Sequence, residues 1–338
     1  MNQLLSRISF CATLCTALTA TACASDDDNA SSAMGGTGAG GMSSASGGSA
    51  MAGSSSQTGG TTSKAPQSGD IVATAVAAGS FTKLTGALDA TGLTAALKGT
   101  GPFTVFAPTD AAFAAFETAN PGVLASLSKD QLAAILKYHV VAAKVGSKDL
   151  VSGSLVETLN GARAAIDLSS GVKVAGSTVT TADVAASNGV IHVIDKIMMP
   201  PSRDIVATAV AAGTFTKLAG ALVATGLDKT LQGAGPFTVF APTDDAFAAF
   251  EAKNPGVLAS LTTAQLSDIL LYHVVNGWAG SADLKDGASV NTALAGKSLK
   301  VSTTAGVKVN DSKVTSANIV TTNGVIHVID AVLLPPAS

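Results

Sequence analysis

Cysteine, aromatic residues and charge are all scarce in this chain of 338 residues. Its three cysteines, Cys11, Cys15 and Cys23, lie near the N-terminus, so the rest of the chain has no thiol for a disulfide, a catalytic nucleophile or a thiolate metal ligand. Charged residues make up 13% of the chain and leave a net charge of −3. Because the lysines and arginines are scattered, nothing indicates a nucleic-acid or anionic-lipid partner. With a hydrophobic content of 47%, the chain has to be stabilised by apolar cores.

The first 22 residues have the composition of an export signal. Arg7 supplies the positive charge, and the apolar stretch 8–22 is too short to span a bilayer. The residues at 20–23, Ala-Thr-Ala-Cys, resemble a bacterial lipoprotein cleavage box with Cys23 as the lipidated residue. Cleavage after an Ala-x-Ala-type site, followed by simple secretion, is the alternative. We therefore predict an exported protein, a lipoprotein of the outer membrane or cell surface in the first case and a secreted one in the second.

The segment that follows the signal, 23–69, consists mainly of glycine, serine, alanine and threonine. Such a composition cannot bury an apolar core. We predict that this segment is a flexible tether.

A duplicated stretch organises the remainder of the chain. The ten residues Gly-Pro-Phe-Thr-Val-Phe-Ala-Pro-Thr-Asp occupy 101–110 and return letter for letter at 235–244. This separation is the length of an ordinary domain. We predict two domains, 70–200 and 204–336, and the very short linker between them implies a fixed or narrowly hinged pair.

The duplicated stretch itself predicts a strand, a corner and a helix. Phe-Thr-Val-Phe favours a strand, and Ala-Pro ends it because proline cannot donate to a sheet ladder. Thr109 is then the N-cap of a helix, with Asp110 in the first turn, where the helix dipole favours negative charge. Thr243 and Asp244 are the counterparts in the second repeat.

Two further local patterns recur in both repeats. Ser128 and Gln131 form a capping box at the start of another helix, and the second repeat keeps it with threonine in place of serine. Strands of period two follow, and the Asn-Gly pairs at 188–189 and 323–324 predict hairpin turns of the primed type.

All four histidines and both tyrosines occupy matched positions: Tyr138, His139 and His192 in the first repeat, and Tyr272, His273 and His327 in the second. His139 falls on the apolar face of a helix and His192 within a Val-Ile strand, so we interpret these side chains as buried, hydrogen-bonded and structural. A metal pair, a general base and a Tyr-His haem site are the alternatives. No HxH or HExxH motif and no Gly-x-Ser-x-Gly elbow supports them. We predict no enzyme activity, no metal and no cofactor.

Taken together, these motifs resemble the fasciclin (FAS1) family. The resemblance is carried by the stretch 103–113, the central Tyr-His pair and the stretch 188–195, all of which recur in order in the second repeat. It implies an α+β fold in which each domain is a β-wedge of two sheets with helices packed on one side. It also implies an extracellular adhesion or interaction role rather than catalysis.

The resemblance also points to a candidate recognition position. In animal matrix relatives, integrin recognition has been attributed to an Asp-Ile pair just before the second family block and to the region around Tyr-His. Asp183-Val184 occupies the place of the Asp-Ile pair in the first repeat, and Asn318-Ile319 occupies it in the second. The surface location carries over from the family, whereas the partner does not.

We therefore predict a cell-surface adhesion or protein-interaction module anchored by an N-terminal lipid. Its partner would be a protein or polysaccharide of the cell surface or matrix, with the membrane contacted through the lipid alone. The alternative is a periplasmic or surface binding module for a polysaccharide or a small apolar ligand.

Overall fold

The computed structural model describes residues 69–336. The predicted signal, Cys23 and nearly all of the predicted tether lie outside the described residues. Repeat one contains α1 (Ile71–Ala78), α2 (Thr82–Thr91), α3 (Thr94–Leu97), β1 (Phe103–Pro108), α4 (Asp110–Ala119), α5 (Val123–Ser126), α6 (Lys129–Tyr138), β2 (Val140–Val141), a 3₁₀ turn (Ser147–Asp149), β3 (Leu155–Glu157), β4 (Arg163–Asp167), β5 (Lys173–Val174), β6 (Ser177–Ala186) and β7 (Gly189–Ile194).

Repeat two follows the same order. It contains α7 (Ile205–Ala212), α8 (Thr216–Thr225), α9 (Leu227–Leu231), β8 (Phe237–Pro242), α10 (Asp244–Lys253), α11 (Val257–Ser260), α12 (Thr263–Tyr272), β9 (Val274–Asn276), β10 (Ser289–Asn291), β11 (Ser298–Ser302), β12 (Lys308–Val309), β13 (Ser312–Val320) and β14 (Gly324–Ile329).

The predicted capping residues start the helices. Thr109 is the N-cap of α4 and accepts a hydrogen bond from the backbone N–H of Ala112 at 3.2 Å. Ser128 and Gln131 form the reciprocal capping box of α6, which α12 repeats. These local predictions are confirmed because each depends on side chains within one turn of the helix start.

The strands of each repeat form a seven-stranded sheet, with the order β2-β1-β7-β6-β5-β4-β3 in repeat one and the matching order in repeat two. β1 and β7 are parallel, with Phe103 opposite Gly189, and the other neighbouring strands are antiparallel. β1 and β7, which belong to the stretches 103–113 and 188–195, are far apart in sequence but lie side by side near one end of the sheet.

Each repeat has two apolar cores. In repeat one, the helix-side core contains Leu84 of α2, Leu136 of α6 and Ile191 of β7. The second core contains Phe106 of β1 and Ile166 of β4, so it is enclosed by strands from both ends of the strand series. Repeat two contains a counterpart of each core. The predicted α+β fold of two tandem domains is confirmed, and the strands predicted as a wedge of two sheets are connected in each repeat into one seven-stranded sheet.

The turn predicted at 188–189 is wrong in type. β6 ends at Ala186 and β7 begins at Gly189, so the turn consists of Ser187 and Asn188. None of the residues from Ser187 to Gly189 has the positive φ that a primed turn requires.

Asn188 has a different role, which is to join distant segments. Its side chain accepts from the backbone N–H of Ile71 at 2.9 Å and donates to the carbonyls of Leu97 and Gly99, each at 2.8 Å. Gly189 has no side chain because a Cβ there would lie 2.0 Å from the carbonyl oxygen of Phe103 on β1. The Asn-Gly pair thus serves tertiary contacts, and the second repeat makes the same ones.

Both repeats, and with them all of the described residues 69–336, lie within one compact unit. Among the described residues, no helix is both long enough and apolar enough to cross a membrane.

Candidate interaction site

A bulge in β6 displays the first candidate recognition residue. The pairing register between β6 and β7 shifts between Thr181 and Val184, and Asp183 in this bulge has a left-handed backbone with φ of 59°. Aspartate tolerates this conformation better than most residues. The backbone N–H of Asp183 points inward and donates to Nδ1 of His192 at 3.3 Å, so the bulge is fixed from below.

The carboxylate of Asp183 points outward and holds the neighbouring 3₁₀ turn. It accepts hydrogen bonds from the backbone N–H of Ser147, at 2.8 Å, and from the Ser147 hydroxyl. These bonds, chiefly that from the Ser147 hydroxyl, lower the pKa of Asp183 below its ordinary value of 3.8. The exposed carboxylate is therefore ionised at neutral pH and keeps lone pairs free for a partner.

Val184 lies differently from its neighbour. Its side chain is half-buried against the helix-side core, so the accessible part of the Asp-Val pair is the carboxylate. Val184 also borders a groove of about 290 Å³ whose lining includes Phe81, Ile191 and Val193. The groove gives this side of repeat one a small apolar concavity beside an ionised group.

His192 supports the bulge from within the fold. It is fully buried, and its Nε2–H donates to the carbonyl of Val145 at 2.8 Å while Nδ1 accepts from Asp183. A carbonyl can only accept and an N–H can only donate, so these partners assign the donor role to Nε2 and the acceptor role to Nδ1. The ring also stacks on Phe106, with centroids 5.5 Å apart.

His139 lies at the C-terminal end of α6, and both of its nitrogens are bonded. Nδ1–H donates to the carbonyl of Ile135 at 2.8 Å, and Nε2 accepts from the backbone N–H of Met198 at 3.0 Å. Burial lowers the pKa of His139 to about 4, as it does for His273 in the matched place. Neither imidazole has a free nitrogen to offer to a metal or a substrate.

The tyrosines are bonded in the same manner. The hydroxyl of Tyr138 donates to the carbonyl of Arg163 at 3.0 Å, and burial raises the pKa of Tyr138 above its ordinary value. The hydroxyl of Tyr272 donates to the carbonyl of Ser298 at 3.0 Å and accepts from the side chain of Asn310. Arg163 and Ser298 are therefore structurally matched positions.

The second candidate position differs from the first by one functional group. Asn318 has φ of 60° in the bulge of β13, and its backbone N–H donates to Nδ1 of the buried His327 at 3.4 Å. Burial lowers the pKa of His327. The Asn318 side chain accepts from the backbone N–H of Ser281 at 2.8 Å. Unlike Asp183, it also donates to repeat one, at the carbonyl of Gly153, 3.2 Å away.

Ile319 is half-buried against the helix-side core of repeat two, as Val184 is in repeat one. The four candidate recognition residues thus form two matched pairs, one open to solvent at Asp183 and one in contact with the other repeat. Between residues 69 and 336, no group of three or more histidine, cysteine, aspartate or glutamate side chains could hold a metal ion.

The sequence patterns predicted neither the contact of Asp110 with α2 nor that of Arg163 with Trp278. Asp110 lies in the first turn of α4, but its carboxylate accepts from the backbone N–H of Thr82, at 3.2 Å, and of Lys83, at 2.8 Å, at the start of α2. The guanidinium of Arg163 lies 5.3 Å from the ring centroid of Trp278 in the other repeat. A signal for the second contact was present, because Trp278 is the single tryptophan and the first repeat has Lys144 in its place.

Comparisons with known proteins agree on one family. The Fasciclin domain matches residues 79–200 and 213–335. The transforming growth factor-beta-induced protein ig-h3 of Sus scrofa is 30% identical over 247 residues, 72% of this chain and 36% of its own length. Periostin of Homo sapiens is 30% identical over 249 residues, 72% of this chain and 29% of its own length.

Shorter and more distant likenesses were found as well. Protein sll1483 of Synechocystis is 47% identical over 130 residues, 37% of this chain and 72% of its own length. A solved FAS1 domain pair from the insect cell adhesion molecule Fasciclin I covers 76% of this chain and 98% of its own, at 21% identity and a TM-score of 0.39. This chain spans about a third of the length of the two animal relatives.

Proposed function

This chain belongs to the fasciclin domain family, and on that premise we propose that it is a cell-surface adhesion or protein-interaction protein without catalytic activity. A lipid on Cys23 anchors it, the segment up to residue 69 tethers it, and the paired repeats present the binding surface. Adhesion is the role that the family resemblance implies. The partner is a protein or polysaccharide of the cell surface or matrix.

The observation that carries this proposal is the exposed, ionised carboxylate of Asp183 on a fixed bulge. The buried imidazole of His192 holds the bulge from below, and the Ser147 turn holds the carboxylate from the side. A group that is positioned in advance loses little conformational entropy when a partner binds. The buried and fully bonded histidines, by contrast, offer no group for catalysis.

Asp183→Asn tests this role with little disturbance of the fold, because Asn318 already occupies the same bulge in repeat two. We expect attachment of cells that display the protein to fall, while Asp130→Asn, which neutralises another exposed acid, leaves attachment unchanged. Adhesion assays with equal surface display, checked by antibody labelling, measure the difference. Equal attachment by both variants would remove Asp183 from the binding surface.

The anchor is tested separately. Cys23→Ser removes the thiol that would carry the lipid, so we expect the protein to appear in the medium and the cells to lose attachment. Fractionation of cells and medium measures this. Retention of the variant in the membrane fraction would contradict the lipid anchor.

The groove beside Val184 supports a second candidate function, binding of a small apolar ligand in the periplasm or at the surface. Its volume of about 290 Å³ is at the small end of ligand-binding pockets. A ligand that binds there would raise the melting temperature of the protein in proportion to the logarithm of its concentration. A screen of short alkyl and aromatic compounds by thermal shift, with Val184→Trp as the blocked control, tests it.

A further inference from the structure

One carbonyl group of repeat one accepts two hydrogen bonds from repeat two. The Gly153 carbonyl of repeat one accepts from the side-chain amide of Asn318 and from the backbone N–H of Ala282, each at 3.2 Å. The same amide nitrogen donates to the hydroxyl of Ser281 at 2.9 Å. Asn318 therefore joins the turn at Ser281 in its own repeat to the Gly153 turn of the other repeat.

The backbones approach too closely at this contact for side chains to intervene. Gly153 is buried and has φ of 84°, and a Cβ there would lie 2.2 Å from the Ser281 hydroxyl oxygen. Gly280 faces it from repeat two, where a Cβ would lie 2.7 Å from the Gly153 carbonyl oxygen. Arg163 over the Trp278 ring closes the contact on one side.

The matched surfaces at the outer ends of the pair are different. Gly287, the counterpart of Gly153, has φ of 73°, is exposed and has open space where a Cβ would be. On the open face of repeat one, Asp183 stands in place of Asn318, Lys144 in place of Trp278 and Lys148 in place of Ala282.

The exchange of asparagine for aspartate decides which face can accept a glycine turn. An amide donates through its nitrogen and accepts through its oxygen, so Asn318 can bind Ser281 and the Gly153 carbonyl at once. An ionised carboxylate only accepts, so in place of the Asn318 amide it would face the carbonyl as a second acceptor, with no hydrogen bond between the two groups. The Asp183 face therefore needs a partner that supplies N–H donors or a positive charge.

From this geometry we propose that repeat one occupies the recognition face of repeat two, which is the surface around Asn318 and Ser281, and that Asn318 holds repeat one there. The matched surface of repeat one, around Asp183 and Ser147, is then the single open recognition face of each chain. That the open face binds a partner rests on the proposed function. The docking of the repeats does not depend on it. Each chain then binds one partner, which presents hydrogen-bond donors or a cationic side chain.

Trp278 provides the test, because the full chain has no other tryptophan and this one lies at the contact. Asn318→Asp removes the donor to Gly153. We expect Trp278 emission to shift to longer wavelength and the acrylamide quenching constant to rise as the contact opens. Asp183→Asn is the reverse exchange in the matched bulge and leaves both readings at the wild-type values.

A pair of glycine variants makes the same test from the other repeat. Gly153→Ala and Gly287→Ala carry the same strain of a side chain at positive φ, but only the first places a methyl group against Ser281. We expect Gly153→Ala to shift Trp278 emission and Gly287→Ala to leave it unchanged, with far-UV circular dichroism showing that both variants fold.

Identical Trp278 emission and quenching in Asn318→Asp, Gly153→Ala and wild type would overturn the docking, whatever partner the protein binds. If the repeats dock as described but Asp183→Asn adheres normally, the proposed binding surface fails and the docking stands. If Asn318→Asp does not fold, the two glycine variants decide.

Discussion

At the scale of single residues, His139 and His273 are held neutral by burial and by their hydrogen-bond partners. His139 and His273 are buried, each bonded to a carbonyl through Nδ1 and to a backbone N–H through Nε2. A second proton on Nε2 would face an N–H donor and have no water to stabilise it. This is the physical cause of the pKa values of about 4.

A pH dependence of stability follows from these values. The unfolded pKa is about 6.5, so below that pH the unfolded chain binds protons that the folded chain does not, and stability falls as the pH falls. The loss is about 1.4 kcal/mol per pH unit for each of the two histidines between pH 6.5 and pH 4. Urea unfolding of the full chain at pH 7 and pH 5 measures it.

The carboxylates do not obscure this window. Asp110, Asp183 and Asp244 have pKa values lowered from 3.8, so the stability that they contribute is lost at lower pH than that of the histidines. An unfolding free energy that stays constant from pH 7 to pH 5 would contradict the assigned tautomers.

At the scale of helices and strands, caps are supplied across the fold as well as locally. The N-cap positions of α2 and α8 are Phe81 and Phe215, which have no side-chain acceptor. Asp110 and Asp244, from the first turns of other helices, accept those N–H groups instead. Asp110 thus lies in the first turn of α4 and caps α2, and Asp244 lies in the first turn of α10 and caps α8.

Asp244→Ala and Asp245→Ala separate the effect of a negative charge in the first turn of α10 from that of the hydrogen bonds to the start of α8. Both side chains lie in that first turn, and only Asp244 makes those bonds. Asp244 binds the N–H groups of Thr216 and Lys217, at 3.1 and 2.8 Å, whereas Asp245 is exposed. We expect Asp244→Ala to lower the unfolding free energy by about 1 kcal/mol, as for the loss of a helix cap. Asp245→Ala stays within roughly 0.5 kcal/mol of wild type. Chemical denaturation measures both, and equal losses would refute the cross-fold cap.

Asn188→Ala tests the joining role of the Asn-Gly pair. The variant leaves the N–H of Ile71 and the carbonyls of Leu97 and Gly99 without their partner. We expect a loss of roughly 3 kcal/mol in unfolding free energy, whereas Ser187→Ala in the same turn is nearly neutral. A small loss for Asn188→Ala would favour a role confined to the turn.

These elements show where sequence reasoning succeeds and where it fails. Thr109 and Ser128 were identified because a cap and its target are three residues apart. Asn188 was misinterpreted because its partners Leu97 and Gly99 are about ninety residues away, while its local pattern is that of a hairpin turn. The family resemblance fixed the fold, but no periodicity could have shown what the asparagine binds.

At the scale of the whole molecule, the contact between the repeats could not be predicted from either repeat alone. Two features of the sequence belong to this contact: Trp278 has no counterpart in repeat one, and Asn318 stands where repeat one has Asp183. In the structure Asn318 binds the carbonyl of Gly153, and Trp278 lies against Arg163. Of the four candidate recognition residues, Asp183 is exposed, whereas Val184, Asn318 and Ile319 are half-buried, and their role in recognition stays a prediction. Which of the two pairs is open depends on how the repeats dock.

One open face per chain has a consequence for cells. The full chain carrying Cys23→Ser, released from the membrane and added in solution, would occupy partners without bridging them. We therefore expect it to inhibit the aggregation of cells that display the wild-type protein, with Cys23→Ser/Asp183→Asn as the inactive control. Light scattering of cell suspensions measures this, and enhanced aggregation would indicate a second open face.

The contact between the repeats joins unlike surfaces, a glycine turn on one side and an asparagine-bearing bulge on the other, so it has a direction and does not close on itself. The exposed Gly287 turn, which matches the accepting turn at Gly153, is still open to solvent. A further gene duplication that copied repeat two would add a third module in the same orientation without a newly evolved junction. Growth in the opposite direction ends at Asp183, so this pair is the first step of an array that can lengthen from one end.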